Sequence, residues 1–314
     1  MDISVVVPTY NRREIVRRSL ESLFSQDFPS SRYEIIVVVD GSTDGSAAAL
    51  AELKPACAFR VIEQENRGLA GARNTGFRAA QGELVLFLDD DMRCDPELIS
   101  AHVRSHERVG EAVVFGALFL SSDSKANLAS ECFKREIGAF HLRHARDNTS
   151  KWQVTDCVFS NSSLPRELLT AAGGFDEHFR MREDLELGMR LKKKGVRMEY
   201  APDAIARQFY DKTAADLLAD AERFAIADIS LARKHPEQVI EGHVLSLEEE
   251  RSWKKSLRGV VARSPALEKC LLVPWCVLGE RFFAIEPLRN AGVRALQMRR
   301  RLHWLRVVDR LTNS

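Results

Sequence analysis

Three predominantly apolar runs, each ending in a polar cluster, restrict this chain more than any other feature. Residues 3–7 (ISVVV) are nearly all β-branched and stop at Pro8; EIIVVV leads into Asp40; LVLFL leads into Asp89, Asp90 and Asp91. Runs without apolar–polar alternation read as strands covered on both faces. Between them the spacing turns helical. Ile15, Leu20, Leu23 and Phe24 recur in the first gap, with Asn11 as the expected N-cap and Glu14 completing a capping box. A short helix is expected over 46–53, a small strand over 59–62, a helix over 69–80 and another strand over 113–120. Strands that keep alternating with helices predict an α/β fold, a parallel sheet with helices on both faces. Ligands of such sheets collect beyond the carboxyl ends of the strands, which is where the polar clusters fall. Residues 125–151 read as polar and mostly helical. From about residue 213 only helical spacing remains, so the chain divides into 1–212 and a helical C-terminal extension, 213–314.

Composition removes several classes. The 314 residues carry 46 Lys+Arg against 45 Asp+Glu, a formal net charge of +1. That balance argues against nucleic-acid binding through bulk charge and against an acidic disordered chain. At 45% hydrophobic residues the chain can fill a sizeable core. The N-terminal apolar stretch is too short for a signal peptide, and no run of about 18 apolar residues predicts a membrane span. Six scattered cysteines without a CxxC pair are expected as reduced, mostly buried thiols, and the chain is expected to stay in the cytoplasm. Residues 281–310 hold eight arginines against Glu286 and Asp309, with apolar residues interleaved. This basic helix has two readings: a peripheral contact with an anionic membrane, or an apolar face packed on the rest of the protein or on a second copy with solvated arginines.

Four segments can carry chemistry. Asp89-Asp90-Asp91 closes an apolar strand, where adjacent carboxylates repel and lose hydration; a divalent cation with hard oxygen ligands, Mg²⁺ or Mn²⁺, relieves both. The plainer reading is an acidic turn capping the next helix, but Asp95-Pro96-Glu97 already offers a cap and a Pro at N1. Asp40-Gly41-Ser42-Thr43-Asp44-Gly45 supplies a carboxylate for a base or ribose, although Asp and Gly end many strands. Asn66-Arg67-Gly68 through Arg73-Asn74 opens a helix whose glycines admit a ligand and whose N-terminus favours anions; Arg73 could equally pair with a surface acid. Neither GxGxxG nor GxxxxGK[ST] is present. Glu183-Asp184 begins an amphipathic helix, either as a candidate general base or as acids suited to the helix dipole. His102 and His106, and likewise His141 and His144, read as surface or packing histidines.

Taken together, VVVPTYNR, EIIVVVDGSTDGS, ENRGLAGARNTG, ELVLFLDDDM, NSSLPRELLTAAGGFDEHF and EDLELGMRL resemble the family-2 glycosyltransferases, inverting enzymes of the GT-A fold. They stand in the family's order over about residues 3–205, and the resemblance implies a Rossmann-like sheet, mixed and mostly parallel, flanked by helices. The resemblance implies a nucleotide-diphosphate sugar donor, a UDP-sugar foremost. It implies donor-binding roles for Pro8, Thr9, Tyr10, Asp40, Asn66, Gly68, Arg73, Asp89 and Asp90, with Asp40 on the base and Arg73 near the base or phosphates. Asp89–Asp91 correspond to the DXD motif, with Mn²⁺ or Mg²⁺ held by Asp91, Asp89 and the residue at 208. Glu183 and Asp184 match the acidic pair that deprotonates the acceptor hydroxyl, with Asp184 favoured. One departure stands out: after Pro202-Asp203-Ala204 many members carry a His, whose place here falls to Gln208. Arg207 or Lys212 is expected to compensate by pairing with phosphate. The acceptor, a glycan, a lipid-linked sugar or a small molecule, has no motif. The rival readings are a metal-dependent sugar-nucleotidyltransferase, disfavoured because PTYNRR lacks a glycine-rich phosphate loop, and a non-catalytic nucleotide-sugar-binding module.

Overall fold

The computed structural model describes residues 1–146, 152–236 and 264–312. They fall into two compact units, Met1–Ser121 with Gly138–Phe209, and Ser122–Ile137 with Tyr210–Ser314. The helical extension expected from residue 213 thus shares its unit with Ser122–Ile137.

The first unit is built on one eight-stranded sheet. In chain order its elements are β1 (Ile3–Thr9), α1 (Arg13–Leu23), β2 (Tyr33–Asp40), α2 (Ser46–Ala51), β3 (Ala58–Gln64), α3 (Gly68–Ala79), β4 (Leu84–Leu88), β5 (Met92–Cys94), α4 (Leu98–Val109), β6 (Ala112–Leu120), β7 (Asn161–Pro165), α6 (Arg166–Ala172), α7 (Glu183–Lys193) and β8 (Arg197–Gln208), with α5 (Leu128–Arg146) contributing residues to both units. The strand order is β3-β2-β1-β4-β7-β6-β8-β5. Pairings β1–β2, β1–β4, β2–β3 and β6–β8 are parallel; β4–β7, β6–β7 and β5–β8 are antiparallel. The β-branched runs form the centre: every residue of β1 and β2 is buried, and Ile3, Val5, Val7, Ile35 and Val37 pack with Val16, Leu20 and Leu23 of α1. Burying each such side chain favours folding by about 1.5–3 kcal/mol.

Two expected caps are corrected. Asn11 does not cap α1; it sits at φ +51°, and its side-chain oxygen accepts from the Thr43 backbone N–H, while Asp44 accepts from Arg13 N–H. The loop after β2 therefore takes over the capping work and ties the β1 and β2 ends together. Asp95 likewise does not cap α4, which has no side-chain cap; its carboxylate holds Arg207 at 2.9 Å.

β7 reads as NSSLP and gave no strand signal. Two of its buried polar side chains are satisfied from α4: His102 Nε2 lies 3.0 Å from Asn161 Oδ1, and Ser163 Oγ lies 2.8 Å from both His102 Nδ1 and His106 Nε2, while Ser162 Oγ donates to the Val158 carbonyl. The two histidines expected at the surface or in packing are thus packing groups, and burial pushes His102 down to about 4.

The second unit is helical: α8 (Ala214–Lys234), α9 (Pro265–Leu271), α10 (Val273–Arg281) and α11 (Glu286–Thr312), with the start of α5. Thr213 and Asp216 close a capping box on α8. Helices α10 and α11 cross where Gly279 meets Gly292; a Cβ on Gly279 would lie 2.7 Å from Gly292 Cα. Arg294, Arg301 and Arg310 of α11 are exposed, whereas Arg289, Arg299, Arg300 and Arg306 are half-buried. Arg299 and Arg306 bind the buried Glu268, and Arg300 binds Glu136. All six cysteines are free thiols, five of them buried and Cys270 exposed. Among the described residues no helix is long and apolar enough to cross a membrane.

Candidate active site

The candidate site residues lie in the first unit, except Lys212, which belongs to the second. β1 and β4 are parallel neighbours, so the residues after Thr9 and after Leu88 emerge at one edge of the sheet. There Thr9 Oγ1 donates to Asp90 Oδ2 at 2.7 Å, and Ser19 Oγ donates to the Asp90 carbonyl at 2.6 Å. Arg12 spans two of the aspartates, with Nη1 2.7 Å from Asp90 Oδ1 and Nη2 3.1 Å from Asp91 Oδ2. Strand β8 pairs Gln208 with Met92 of β5, and the Gln208 amide donates to Asp91 Oδ1 and Oδ2 at 3.2 and 3.1 Å. Burial pushes the Asp90 carboxyl up to about 7, with Asp91 and Asp89 adding to the effect and Arg12 and Thr9 opposing it. Asp91 is raised too, by burial and then by Asp89.

A second cluster is centred on Arg73 of α3, whose side chain is 3% exposed. Nη1 lies 2.8 Å from Glu183 Oε1, while Nη2 donates at 3.0 Å to both Asp89 Oδ1 and the Phe159 carbonyl. Burial works against the Arg73 charge, but Asp89, Glu183 and Asp184 outweigh it and hold its proton more firmly. Its terminal nitrogens are committed to this bridge, which joins the triple aspartate to the Glu183-Asp184 pair. Glu183 is pushed up to about 7, by burial first and by Asp184 next, against the pull of Arg73. Asp184 is less enclosed; Leu185 N–H donates to its Oδ1 at 2.8 Å. The residue before the pair, Arg182, adopts φ +67°, a strained backbone for a side-chain-bearing residue and of the kind found where a site must be aimed.

Asp40 forms a third group. It is buried at the end of β2, and its Oδ1 accepts from Gln64 Nε2 at 2.6 Å and from Arg67 N–H at 2.8 Å, while Oδ2 accepts from Gly68 N–H at 2.8 Å. A carboxylate offers about four lone-pair positions, so roughly one is left for a ligand. Asp40 thereby occupies the α3 N-terminus that the sequence offered to an anion. Gly41 is required beside it: φ is +76°, and a Cβ would lie 2.8 Å from Asn66 N. Asn66 Nδ2 donates to the Asp40 carbonyl at 3.0 Å. Pro8 is buried within β1, opposite Val38, whereas Tyr10 is exposed.

Arg207 and Lys212, expected at phosphate, both have carboxylate partners, Asp95 at 2.9 Å and Asp220 at 2.7 Å. Two residues carry more than the sequence suggested. Arg12 was visible only as a cation one step beyond the TyrAsn turn; three aspartates at a strand end need a counter-charge, and that need was the available signal. Asn74, at the end of the glycine-rich segment, brackets Phe175, donating to its carbonyl and accepting from its N–H at 2.8 and 2.9 Å, and donates to Glu177 Oε1 at 2.9 Å. It thereby fastens the GlyGlyPheAspGlu loop to α3.

A family model described as glycosyl transferase family 2 matches residues 4–172, more than half of the chain. The glycosyltransferase AglE of Haloferax volcanii is 26% identical over 205 residues, 65% of this chain and 65% of that protein. The validoxylamine A glucosyltransferase of Streptomyces hygroscopicus subsp. jinggangensis is 28% identical over 290 residues, 82% of this chain and 64% of that protein. The chain thus spans just under two thirds of the length of these relatives. Among solved structures, the mannosyltransferase PcManGT of Pyrobaculum calidifontis in complex with GDP-Man and Mn²⁺ superposes with a TM-score of 0.64 at 22% identity, covering 95% of this chain and 85% of that one. The TarS 1–349 fragment of S. aureus with UDP gives 0.55 at 18% identity, over 100% and 92% of the two chains. With its candidate residues gathered at the strand ends and a family model spanning most of the sheet, this chain belongs to glycosyl transferase family 2 and has the GT-A fold.

Proposed function

We propose that this chain moves a sugar from a nucleoside-diphosphate sugar, a UDP-sugar foremost, onto an acceptor hydroxyl with inversion at the anomeric carbon, in the building of a polysaccharide or glycoconjugate. The observation that carries the reading is the joined carboxylate array, in which Arg73 links Asp89 to Glu183 beside the Asp90–Asp91 pair. Asp184, the more accessible acid of its pair, takes the proton of the acceptor hydroxyl as that oxygen attacks the anomeric carbon. The bond to the diphosphate breaks on the opposite face, which inverts the centre. Glu183, clamped by Arg73, keeps the start of α7 in place. Thr9 holds Asp90 for the donor, and Asp40, Asn66 and Gly68 line the end of the sheet assigned to the base.

A divalent cation, Mn²⁺ or Mg²⁺, suits the donor set here. Burial and neighbouring acids penalise negative charge at Asp90 and Asp91, a penalty that a cation would relieve; Asp91 offers carboxylate oxygen, and Gln208 offers amide oxygen once its terminal group is turned over. When bound, such an ion would stabilise charge developing on the departing diphosphate. Among the described residues no three His, Cys, Asp or Glu form a ready cluster, so oxygens from the donor and from water are needed to complete the shell.

The test is to offer UDP-, GDP- and dTDP-sugars with and without Mn²⁺. Release of a nucleoside diphosphate supports transfer, pyrophosphate release favours a nucleotidyltransferase, and binding without release favours the binding module. For the basic C-terminal stretch, the ion pairs of Arg299, Arg300 and Arg306 within the second unit favour a packing role. Co-sedimentation with anionic liposomes checks it, since recovery in the pellet would assign lipid contact to this unit, where Trp275 and Phe282 are exposed.

A further inference from the structure

The position of Arg12 has a consequence for how the site is loaded. Its guanidinium spans Asp90 and Asp91, and the second Asp91 contact is the Gln208 amide. The carboxylate assigned to the metal is therefore already covered by donors of the protein's own. The three groups differ in enclosure: the Asp90 and Asp91 side chains are 6% and 10% exposed, and that of Arg12 is 34% exposed. The backbone on either side of Arg12 is pinned, since Asn11 N–H donates to Ser42 Oγ and Arg13 N–H to Asp44. Only the long side chain is left to move. A guanidinium matches phosphate oxygens as well as it matches carboxylate, so a diphosphate arriving beside it offers an equivalent partner.

Resting on the donor and metal reading above, we propose that Arg12 is a tethered counter-ion that keeps a divalent cation off Asp91 until a diphosphate draws the guanidinium away. Cation and donor then enter as one unit, and the empty enzyme has little affinity for the ion alone. The substitution Gln208 belongs to the same device: an amide donates to Asp91 in the empty state and can turn its oxygen to an ion in the loaded one, which a second cation could not do.

The experiment measures Mn²⁺ binding to the full chain by the loss of the free-ion electron paramagnetic resonance signal, with Mn²⁺ alone and with Mn²⁺ plus UDP or GDP. Arg12→Met is expected to bind Mn²⁺ alone at least tenfold more tightly than the parent, and to bind the nucleoside diphosphate about tenfold more weakly with Mn²⁺ present. Arg12→Lys, which keeps the charge but reaches a single carboxylate, is expected to fall between them and guards against a misfolded Met variant. Unchanged or weaker binding of Mn²⁺ alone in both variants would overturn the proposal. If the parent retains no Mn²⁺ even with UDP or GDP, the metal reading fails and the proposal with it. Tight Mn²⁺ binding by the parent in the absence of nucleotide overturns the counter-ion role while leaving the metal reading intact.

Discussion

Two buried acidic centres, one in each unit, are compensated in opposite ways. Glu268 in the helical unit is 2% exposed, and burial alone would push its carboxyl up. Hydrogen bonds from Arg299 and Arg306, with His303 nearby, outweigh burial and hold it below the usual range. Asp90 in the sheet unit is 5% exposed and has Arg12 and Thr9 as partners, yet burial, with Asp91 and Asp89 adding to it, outweighs them and pushes it up to about 7. The first centre has cations to spare and joins helices. The second carries more acid than its arginines neutralise, an arrangement that clusters at functional sites. A surplus of buried negative charge therefore separates site from scaffold better than burial or ion pairing alone.

The largest effect expected from breaking this contrast is catalytic. Asp184→Asn, which keeps shape and removes the base, should lower turnover by about 10²–10⁴-fold with an unchanged melting curve; Asp91→Ala should likewise nearly abolish transfer. Near-normal rates would remove either residue from its role. Next in size, Glu268→Gln strands two arginines and should destabilise the chain by about 3–5 kcal/mol, whereas Asp90→Asn, which relieves crowding, should change stability by less than about 1 kcal/mol. Equal losses in chemical denaturation would erase the distinction drawn here. The smallest effect concerns His102. Its folded value of about 4 lies below the unfolded value near 6.5, so the unfolded chain binds the extra proton between those pH values. Stability from its neutral packing is complete above about pH 6.5 and is lost as pH falls towards 4, by about 3 kcal/mol in all. His102→Gln should flatten that limb in denaturant titrations from pH 7 to 4.

The central strands were legible because β1, β2 and β4 are covered on both faces and so are apolar along most of their length, the buried Ser4–Glu34 pair being satisfied internally. β7 was not, because its Asn161 and Ser163 are satisfied by histidines some sixty positions away, a partnership no local pattern can report. The α1 cap failed for a related reason: Asn11 had a competing partner in the β2 loop, and Asp44 was better placed. In the site, acidic residues at strand and helix ends announced themselves by type and spacing. Their arginine partners did not, since Arg73 meets Glu183 across 110 positions and only the fold brings them together.

The irregularity in β8 decides which chemistry meets Asp91. Gly116 pairs with Ala201 but Ala117 pairs with Ile205, so Pro202, Asp203 and Ala204 are looped out and the strand resumes in a new reading frame. That frame delivers position 208 to the aspartate and aims position 207 at Asp95 instead. Because side chains alternate along a strand, a slip of one residue would exchange the two, presenting a fixed positive charge where a reversible amide now stands. The length of a three-residue detour thus sets the charge of the pocket as firmly as any substitution within it.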